Sequence, residues 1–334
     1  MSSVSEWQQG RGRSGMGFAG LHTSLRYCFE NENATKTVRC GRKFQLKSNR
    51  ILQNLSLTRF GIENTADDDE VLKMRPVFVT AISQEYFFVA HVNIFEPFGR
   101  YFANESYGRR VDTLVVYDLG LTRRQVRRVM LEFSFIQLRT FQFDLYPPSV
   151  RNLKNYQWKP LIVAQMIQEF GAVLWLDSSC RIAAEIDPLL RKIQNHELYP
   201  HVSVQSGTGH SIFAATRPQM YKFLPLPDDA KYTEMVAASC QLSFGTRRVK
   251  KDILRYWVAC ALEPGCLASR NFDKPDVLTC YFANDRYKRY AHCNRFDQSA
   301  LAILLGNANR FNTTRYVYND VGLISIVRYD IGRR

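Results

Sequence analysis

The sequence predicts an α/β fold: a Rossmann-like, mixed but mainly parallel sheet flanked by helices. Two observations favour this fold class. Between residues 76 and 179, apolar runs of strand length alternate with helix-compatible stretches, and strands that alternate with helices form parallel sheets. No linker rich in proline, glycine and serine divides the chain beyond residue 75. We therefore expect residues 75–334 to form one composite domain.

Composition narrows the function classes. The 334 residues are 46% hydrophobic and 13% aromatic, which excludes disordered, coiled-coil and collagen-like proteins. Lysine and arginine number 45 against 31 aspartates and glutamates, a formal net charge of +14. No recognisable nucleic-acid-binding module accompanies this charge, so we expect no nucleic-acid partner. A basic surface suits an acidic acceptor glycan or a phosphate-rich membrane instead.

The first half supplies most of the predicted sheet. The β-branched run PVFVTAI (76–82) predicts a strand, and QEYFFVAHVNIF after it predicts a helix. A strand and turn, an arginine-rich helix and a further strand follow at 112–120, 122–133 and 135–147. KPLIVAQMIQEF (159–170) predicts a helix, and GAVLWLDSS (171–179) predicts a buried strand that ends in polar residues.

The second half and the N-terminal segment are less regular. Residues 210–227 predict a strand followed by a short helix, and residues 247–262 and 297–305 predict helices. Residues 1–74 are polar, with a basic segment at 39–50 and an acidic run at 67–70. We expect this part to be a stem or a poorly ordered lead-in.

Four of the eight cysteines crowd into one stretch: Cys260, Cys266, Cys280 and Cys293. A Pro-Gly turn lies between the first two, whereas structural zinc favours cysteine pairs two to four residues apart. The spacing therefore favours disulfides over a zinc site. Four cysteines allow three pairings, and the sequence does not choose among them.

Glycosylation sequons also favour a lumenal glycoprotein; they begin at Asn33, Asn54, Asn104 and Asn312. The first twenty residues lack the apolar region of a secretory signal, and no apolar run of about 18 residues occurs. We expect either a lumenal protein whose membrane anchor is not visible in this chain, or a cytoplasmic protein with reduced cysteines.

Polar residues stand where the apolar runs stop, and open α/β sheets bind ligands outside the carboxyl ends of their strands. The candidates are Ala81 and Ser83, then Tyr117 and Asp118, and finally Asp177, Ser179 and Arg181. A carboxylate at such an end is suited to hold a divalent cation against a diphosphate, and Asp177 is the best candidate ligand. The chain has no glycine-rich dinucleotide loop, P-loop or Gly-x-Ser-x-Gly turn, which disfavours redox cofactors, P-loop phosphoryl transfer and Ser-His-Asp hydrolysis.

Five segments in this order resemble one family: YDLGL (117–121), YQWKPLIVAQMI (156–167), VLWLDSSCRI (173–182), HSIFAATRPQMYKFLP (210–225) and CNRFDQSALAILLGN (293–307). The chain is similar, over about residues 75–310, to a largely uncharacterised family of animal proteins grouped with nucleotide-diphospho-sugar transferases of the glycosyltransferase A type. The resemblance implies that fold, in the Golgi or endoplasmic reticulum lumen. It also implies a nucleotide-sugar donor and a glycan or glycoprotein acceptor, with the membrane reached through an N-terminal anchor.

The resemblance also implies roles for single residues. Asp177 falls at the first carboxylate of an Asp-x-Asp motif for Mn²⁺ or Mg²⁺, and Ser179 stands at its third position, which removes one anionic ligand. Asp297 and Gln298 match a late Asp-Gln motif that faces the sugar or the acceptor. Lys159 and Arg181 are expected at the diphosphate, and the strand-end residues at 81, 83, 117 and 118 near the nucleoside.

Other interpretations stay open for the same residues. Asp177 also suits a turn cap, Asp297 a helix N-cap, and Lys159 a solvated position. Trp175 is expected in the core, and Arg181 pairs either with a phosphate or with Asp187. At the level of function, the alternative is a catalytically inactive carbohydrate-binding protein on the same fold, for which the serine at position 179 is the distinguishing feature.

Overall fold

The computed structural model describes residues 25–31, 37–44, 67–103, 113–183, 185–205, 207–270, 276–320 and 322–328. Within these ranges the strands are β1 (Arg26–Asn31), β2 (Thr37–Lys43), β3 (Val77–Ile82), β4 (Leu114–Asp118), β5 (Ile136–Thr140), β6 (Ala172–Leu176), β7 (Cys180–Ile182), β8 (His201–Ser203), β9 (Cys240–Phe244) and β10 (Ile324–Ile326). The α-helices are α1 (Asp68–Lys73), α2 (Phe87–Ala90), α3 (Glu96–Ala103), α4 (Arg123–Glu132), α5 (Trp158–Phe170), α6 (Asp187–Gln194), α7 (Arg247–Val249), α8 (Arg255–Leu262) and α9 (Phe296–Ala308).

The central sheet has six strands in the order β5-β4-β3-β6-β9-β8. The first four run parallel to one another, and β9 is antiparallel to both of its neighbours. This confirms the predicted mixed, mainly parallel sheet. All residues of β3 and β6 are buried, and such strands appear in a sequence as continuous apolar runs, which is why they were predictable.

Helices cover both faces of this sheet. Val77, Val79 and Ala81 of β3 belong to the core formed with α5, α8 and α9. Phe78 and Ile82, at the alternate positions of the strand, belong to the core formed with α2, α3, α4 and α6. The alternation follows from the two-residue period of a strand. The connections beyond β3 and β4 thus lie on one face, and α5, which leads into β6, lies on the other.

Several predicted elements differ in part from the structure. The helix expected over 84–95 begins as a 3₁₀ helix at Gln84–Tyr86 and ends as a π-helix at His91–Phe95. The strand expected over 135–147 ends at Thr140, and the helix expected over 247–262 is π-helical at Lys250–Leu254. The strand expected at the start of 210–227 was wrong, because residues 212–216 form turns and Ser211 makes only an isolated bridge. The Ser211 hydroxyl donates to the Tyr287 carbonyl (2.6 Å) and accepts from the Ala214 N–H (2.9 Å), which ties this segment to loops. The short helix after it is a 3₁₀ helix at Pro218–Lys222.

Strands β1 and β2 form an antiparallel hairpin that the disulfide Cys28–Cys40 closes. The ring of Tyr27 lies 4.6 Å from that of Tyr256 in an edge-to-face contact, so the hairpin is attached to the core of the domain. This hairpin falls inside the segment 1–74, for which we expected a stem or poorly ordered lead-in. Arg26–Asn31 and Thr37–Lys43 of that segment are therefore regular structure, and the division of the chain at residue 75 stays a prediction.

The clustered cysteines form the disulfides Cys260–Cys266 and Cys280–Cys293, which confirms the disulfide prediction and selects one of three pairings. Disulfides are typical of secreted or lumenal proteins. Among the sequons, Asn312 is exposed, and the other three lie outside the described residues. In the ranges that the structure covers, no helix combines the length and apolar character needed to cross a membrane.

Candidate functional site

Three charged side chains from separate segments meet at the carboxyl end of the sheet. Lys159 lies in the first turn of α5, Asp177 directly follows β6, and Asp297 lies in the first turn of α9. The Lys159 Nζ is 2.9 Å from Asp177 Oδ1 and 2.9 Å from Asp297 Oδ2, and it donates a hydrogen bond to the Ala238 carbonyl at 3.3 Å. We call this arrangement the Lys159 triad, meaning Lys159, Asp177 and Asp297.

Burial sets the electrostatics of the triad. The side chains of Lys159 and Asp297 are only 2% and 5% exposed, whereas that of Asp177 is 30% exposed. Burial lowers the pKa of Lys159, but the two carboxylates raise it by more, so the pKa lies above its usual value and the ammonium keeps its proton. Burial raises the pKa of Asp297, against the opposing effect of Lys159. The triad therefore presents one accessible carboxylate, that of Asp177.

The position of Asp177 is fixed from several sides. Its Oδ1 accepts a hydrogen bond from the indole Nε1 of Trp175 (2.8 Å), and its backbone N–H donates to the Ser239 carbonyl (2.7 Å). Both described contacts of the carboxylate are made by Oδ1, which leaves Oδ2 without a contact among the described residues. Trp175 itself is fully buried, which confirms its predicted place in the core.

The turn after Asp177 is held by the π-helical segment and by the last described residues. Buried Asn93 donates to the carbonyls of Ser178 (3.1 Å) and Val327 (3.0 Å). The Val327 N–H donates in turn to the Ser179 carbonyl at 2.9 Å. π-helical turns occur frequently at functional sites, and here the turn supplies the side chain that joins the ends of β6 and β10.

The residues expected near the nucleoside have mainly structural contacts. Asp118 Oδ1 accepts from the N–H groups of Gly120 (2.7 Å) and Leu121 (2.6 Å), so it caps the turn after β4. Ala81 and Tyr117 are buried partners in the register of β3 and β4. Ser83 is half-buried at the start of the 3₁₀ helix Gln84–Tyr86. Their contact with a nucleoside stays a prediction.

Arg181 and Gln298 lie beside the triad but not in it. The Arg181 guanidinium donates to the Val92 carbonyl (3.3 Å) and Asn93 Oδ1 (3.2 Å). Asp187, the partner that one of the two alternatives gave to Arg181, is not among these contacts and pairs with Arg75 at 3.2 Å. Gln298 donates to the Val236 carbonyl at 2.9 Å. Catalytic or donor-binding roles for Arg181 and Gln298 stay predictions.

The structure also decides two alternative interpretations. Lys159 is not a solvated lysine, since it is 2% exposed. Asp297 is not a helix N-cap, because Arg295 occupies that position and Asp297 lies inside the first turn of α9. Asp297 is also buried against an ammonium, whereas a capping residue at the protein surface would be exposed to solvent.

Two tyrosines near the triad were missed by the sequence reasoning. Burial and then the neighbouring Tyr86, Asp297 and Asp177 raise the pKa of Tyr156. Burial, followed by Glu85 and Asp177, raises the pKa of Tyr86, whose side chain is partly exposed. The only sequence signal for Tyr156 was its place at the head of the segment YQWKPLIVAQMI. Aromatic side chains beside an exposed carboxylate are suited to contact a sugar ring.

A cavity of about 250 Å³ opens on the other side of the turn after Asp177. Its lining is mostly apolar and includes Ile94, Phe98, Leu176 and Cys180, with Asn93 as a polar contribution. None of the three triad residues lines it. The charged side chains of the triad and this cavity therefore lie in different places.

The residues at Asp177 do not fit a divalent cation. The two carboxylates of the triad share the Lys159 ammonium, which lies 2.9 Å from Asp177 Oδ1, so a cation bound at Asp177 would face a fixed positive charge. Position 179 supplies a serine in place of a second carboxylate, and hard cations prefer several carboxylate oxygens. In the described ranges, no group of three or more His, Cys, Asp or Glu side chains is placed to hold a metal ion.

Comparisons with known proteins add a partial family match and distant structural similarities. Residues 21–164 match the family model described as "Protein of unknown function (DUF1647)". No curated protein matches the chain. Similar solved structures include the apo WbbM bifunctional glycosyltransferase (13% identity, 74% of this chain and 39% of that one, TM-score 0.42) and mouse xyloside xylosyltransferase 1, apo form (11%, 71% and 82%, 0.39).

A third similar structure is the galactosyltransferase LgtC in complex with donor and acceptor sugar analogs (12% identity, 53% of this chain and 61% of that one, TM-score 0.34). The chain thus spans less than two thirds of the length of WbbM and of LgtC. Sequence identities and TM-scores this low assign no activity to this chain.

Proposed function

We propose that the protein transfers a sugar from a nucleotide-diphosphate donor to a hydroxyl group of a glycan or glycoprotein, on a glycosyltransferase A-type fold. One observation carries the proposal: Asp177 and Asp297, which the sequence resemblance places in two separate transferase motifs, meet on one buried lysine at the carboxyl end of the sheet.

The topology supports a ligand site at this place. From β3 the chain continues outward through β4 and β5, whereas β6 lies on the other side of β3. The connecting helices change faces of the sheet at the same point. A crevice forms where the strand order reverses in this way, and open α/β sheets bind ligands there. Tyr86 follows β3 and Asp177 follows β6, so the two residues border that crevice.

The proposed chemistry assigns different tasks to the two carboxylates. Asp177, which is accessible, accepts hydrogen bonds from hydroxyl groups of the donor. Asp297 is buried and holds the Lys159 ammonium in place, so the proton of the acceptor hydroxyl passes to Asp177, the accessible carboxylate. The acceptor oxygen bonds to the anomeric carbon, the bond from that carbon to the diphosphate oxygen breaks, and its electron pair leaves with the diphosphate. Lys159 holds both carboxylates in position.

We propose the Golgi or endoplasmic reticulum lumen as the location. Three disulfides support an oxidising compartment, because they persist outside the reducing cytosol. The exposed Asn312 is available for glycosylation there.

The second candidate is a carbohydrate-binding protein without transferase activity. It is favoured by Ser179 and by the poor fit of the site to a divalent cation. It differs from the first candidate in one measurable property, because a carbohydrate-binding protein has no need to bind the nucleotide part of a donor.

Thermal unfolding of the purified protein with nucleoside diphosphates, nucleotide sugars and glycans separates the two candidates. Each ligand is added with Mn²⁺, Mg²⁺ or EDTA. A ligand at a hundredfold excess over its Kd stabilises the folded state by about 2.7 kcal/mol, so we expect one nucleotide sugar to raise the melting temperature. If only glycans do so, the protein is the carbohydrate-binding one.

The Asp177→Asn variant tests the assignment of the site. The amide keeps an oxygen for the Trp175 hydrogen bond, so we expect a folded protein that loses the shift with the nucleotide sugar. Asp144→Asn is the matched control, because Asp144 is 92% exposed and lies in a different region, paired with Arg151. An undiminished shift in folded Asp177→Asn removes the assignment.

A further inference from the structure

Arg295 is a half-buried cation that lies near Asp297 but whose guanidinium has no hydrogen-bond or ion-pair partner among the described residues. Its Nε is buried and has no hydrogen-bond acceptor. Removing a charged group from water without pairing it costs free energy. An arginine kept in this state within a folded core is therefore a candidate for binding an anion that is not part of the protein.

The backbone places this guanidinium beside the Lys159 triad. Arg295 is the N-cap residue of α9, two residues before Asp297. Its N–H donates to the Ala215 carbonyl (3.1 Å), and its carbonyl accepts from the N–H groups of Gln298 (3.0 Å) and Ser299 (3.4 Å). The main chain is fixed by these bonds while the charged group is free, which is the arrangement expected of a preorganised ligand contact.

A second arginine approaches from the last described residues. Arg328 follows Val327, whose N–H donates to the carbonyl of Ser179 in the turn after Asp177. Arg328 is exposed and makes no ion pair with the part of the chain that the structure describes. Burial, and then the charge of Arg328, lower the pKa of Arg295. The charges of Asp297 and Tyr156 oppose this effect only in part. The two arginines thus lie close enough to act on one bound anion near the turn that follows Asp177.

We propose that Arg295 and Arg328 bind the diphosphate of the sugar donor and neutralise the charge that develops on it when it leaves. This inference rests on the proposed function. Guanidinium groups donate paired hydrogen bonds that match phosphate oxygens. The electron pair of the broken bond stays on the diphosphate, and the two arginines supply the positive charge that a divalent cation would otherwise provide. The fixed cations of the chain thereby account for the poor fit of Asp177 and Ser179 to a metal ion.

Isothermal titration with uridine diphosphate, guanosine diphosphate and inorganic pyrophosphate, in EDTA and in Mn²⁺, tests the proposal. We expect the wild-type protein to bind at least one of these probes with the same affinity in EDTA and in Mn²⁺. A hydrogen bond to a charged group contributes about 1.5–3 kcal/mol, so Arg295→Gln should weaken binding roughly 10- to 100-fold. Arg328→Gln should weaken it as well, and this exposed position leaves folding intact. Arg124→Gln, on the exposed face of α4, is the control and should bind like the wild type.

The outcomes distinguish a failure of the arginine site from a failure of the proposed transfer reaction. Wild-type affinity in both arginine variants, or binding that disappears in EDTA, overturns the arginine site and leaves the proposed transfer reaction standing. If the wild-type protein binds none of the probes and no nucleotide sugar in either condition, both the arginine site and the proposed function fail.

Discussion

Replacing Lys159 by methionine tests the triad most directly, because methionine keeps an apolar chain of similar length and removes the ammonium. Asp177 and Asp297 then lose their common partner, and Asp297 is only 5% exposed. Removing one partner of a buried ion pair costs about 3–5 kcal/mol of the free energy of unfolding. Asp177 is 30% exposed and keeps the hydrogen bond from Trp175, so we expect a loss at the lower end of that range.

The loss should depend on pH in a defined direction. Burial raises the pKa of Asp297 and Lys159 opposes this effect, so the pKa rises further when Lys159 is removed. The unfolded-state pKa of such a carboxyl group is about 3.9. When the folded-state pKa is higher, the group destabilises the folded state, and this cost reaches its full size once the pH has risen through the folded-state pKa. The deficit of Lys159→Met against the wild type should therefore be small in acid and grow towards pH 8.

Urea unfolding followed by circular dichroism at several values between pH 4 and pH 8 measures this deficit. Lys159→Met/Asp297→Asn should recover much of the stability at pH 8, because the amide carries no charge. Lys192→Met is the matched control, since Lys192 forms an exposed pair with Glu197 and should change nothing measurable. If the free energy of unfolding of Lys159→Met at pH 8 lay within about 1 kcal/mol of the wild-type value, the buried triad would be refuted, because breaking a buried pair costs more than that.

Three further predictions concern pH, cysteines and the hairpin. Burial lowers the pKa of His201 to about 4. The folded state should therefore lose about 3 kcal/mol of stability as the pH falls from about 6.5 to 4. In urea unfolding, His201→Gln should abolish this part of the pH dependence. Alkylation of the unfolded, unreduced protein should label two of the eight cysteines by mass spectrometry and all eight after reduction; eight labels without reductant contradict the disulfides. A Cβ on Gly41 would clash with the Phe223 carbonyl, so Gly41→Ala should expose the hairpin to proteolysis, while the control Val38→Ala at an exposed position should not; equal digestion of both would show that the hairpin is not docked there.

The central strands were predictable and the antiparallel strands were not. β3 and β6 are apolar throughout, because both of their faces are buried. β8 and β9 are buried as well, yet they contain His201, Gln241 and Ser243. His201 Nε2 lies 2.9 Å from Gln241 Oε1, and its Nδ1 lies 3.0 Å from the Ser243 hydroxyl. These polar groups satisfy one another across the two strands, and such pairing has no signature in a one-dimensional hydropathy pattern.

The three residues of the triad could be named from the sequence, but their contact could not. Lys159, Asp177 and Asp297 were candidates from strand ends and from the resemblance, but nothing in the sequence joins them through one ammonium. Arg295 and Arg328 were not singled out, because an unpaired arginine is visible only when its neighbours in space are known. The serine at position 179 was visible in the sequence, whereas the placement of the two arginines that we propose to bind the diphosphate was not.

Four departures from local structural rules lie near Asp177, although they come from distant parts of the chain; others lie elsewhere, such as the π-helical turn Lys250–Leu254. Lys159 places a buried cation in the first turn of a helix, where the helix dipole disfavours it. Phe296 and Tyr156 adopt positive φ angles of 45° and 53°, which side chains other than glycine avoid. The π-helical turn that carries Asn93 is the fourth departure. Each of these features destabilises its own segment, and they persist together because their side chains converge on one place. Conflicts between local preference and fold are expected at functional sites, so these departures support the proposal that the protein acts at the triad.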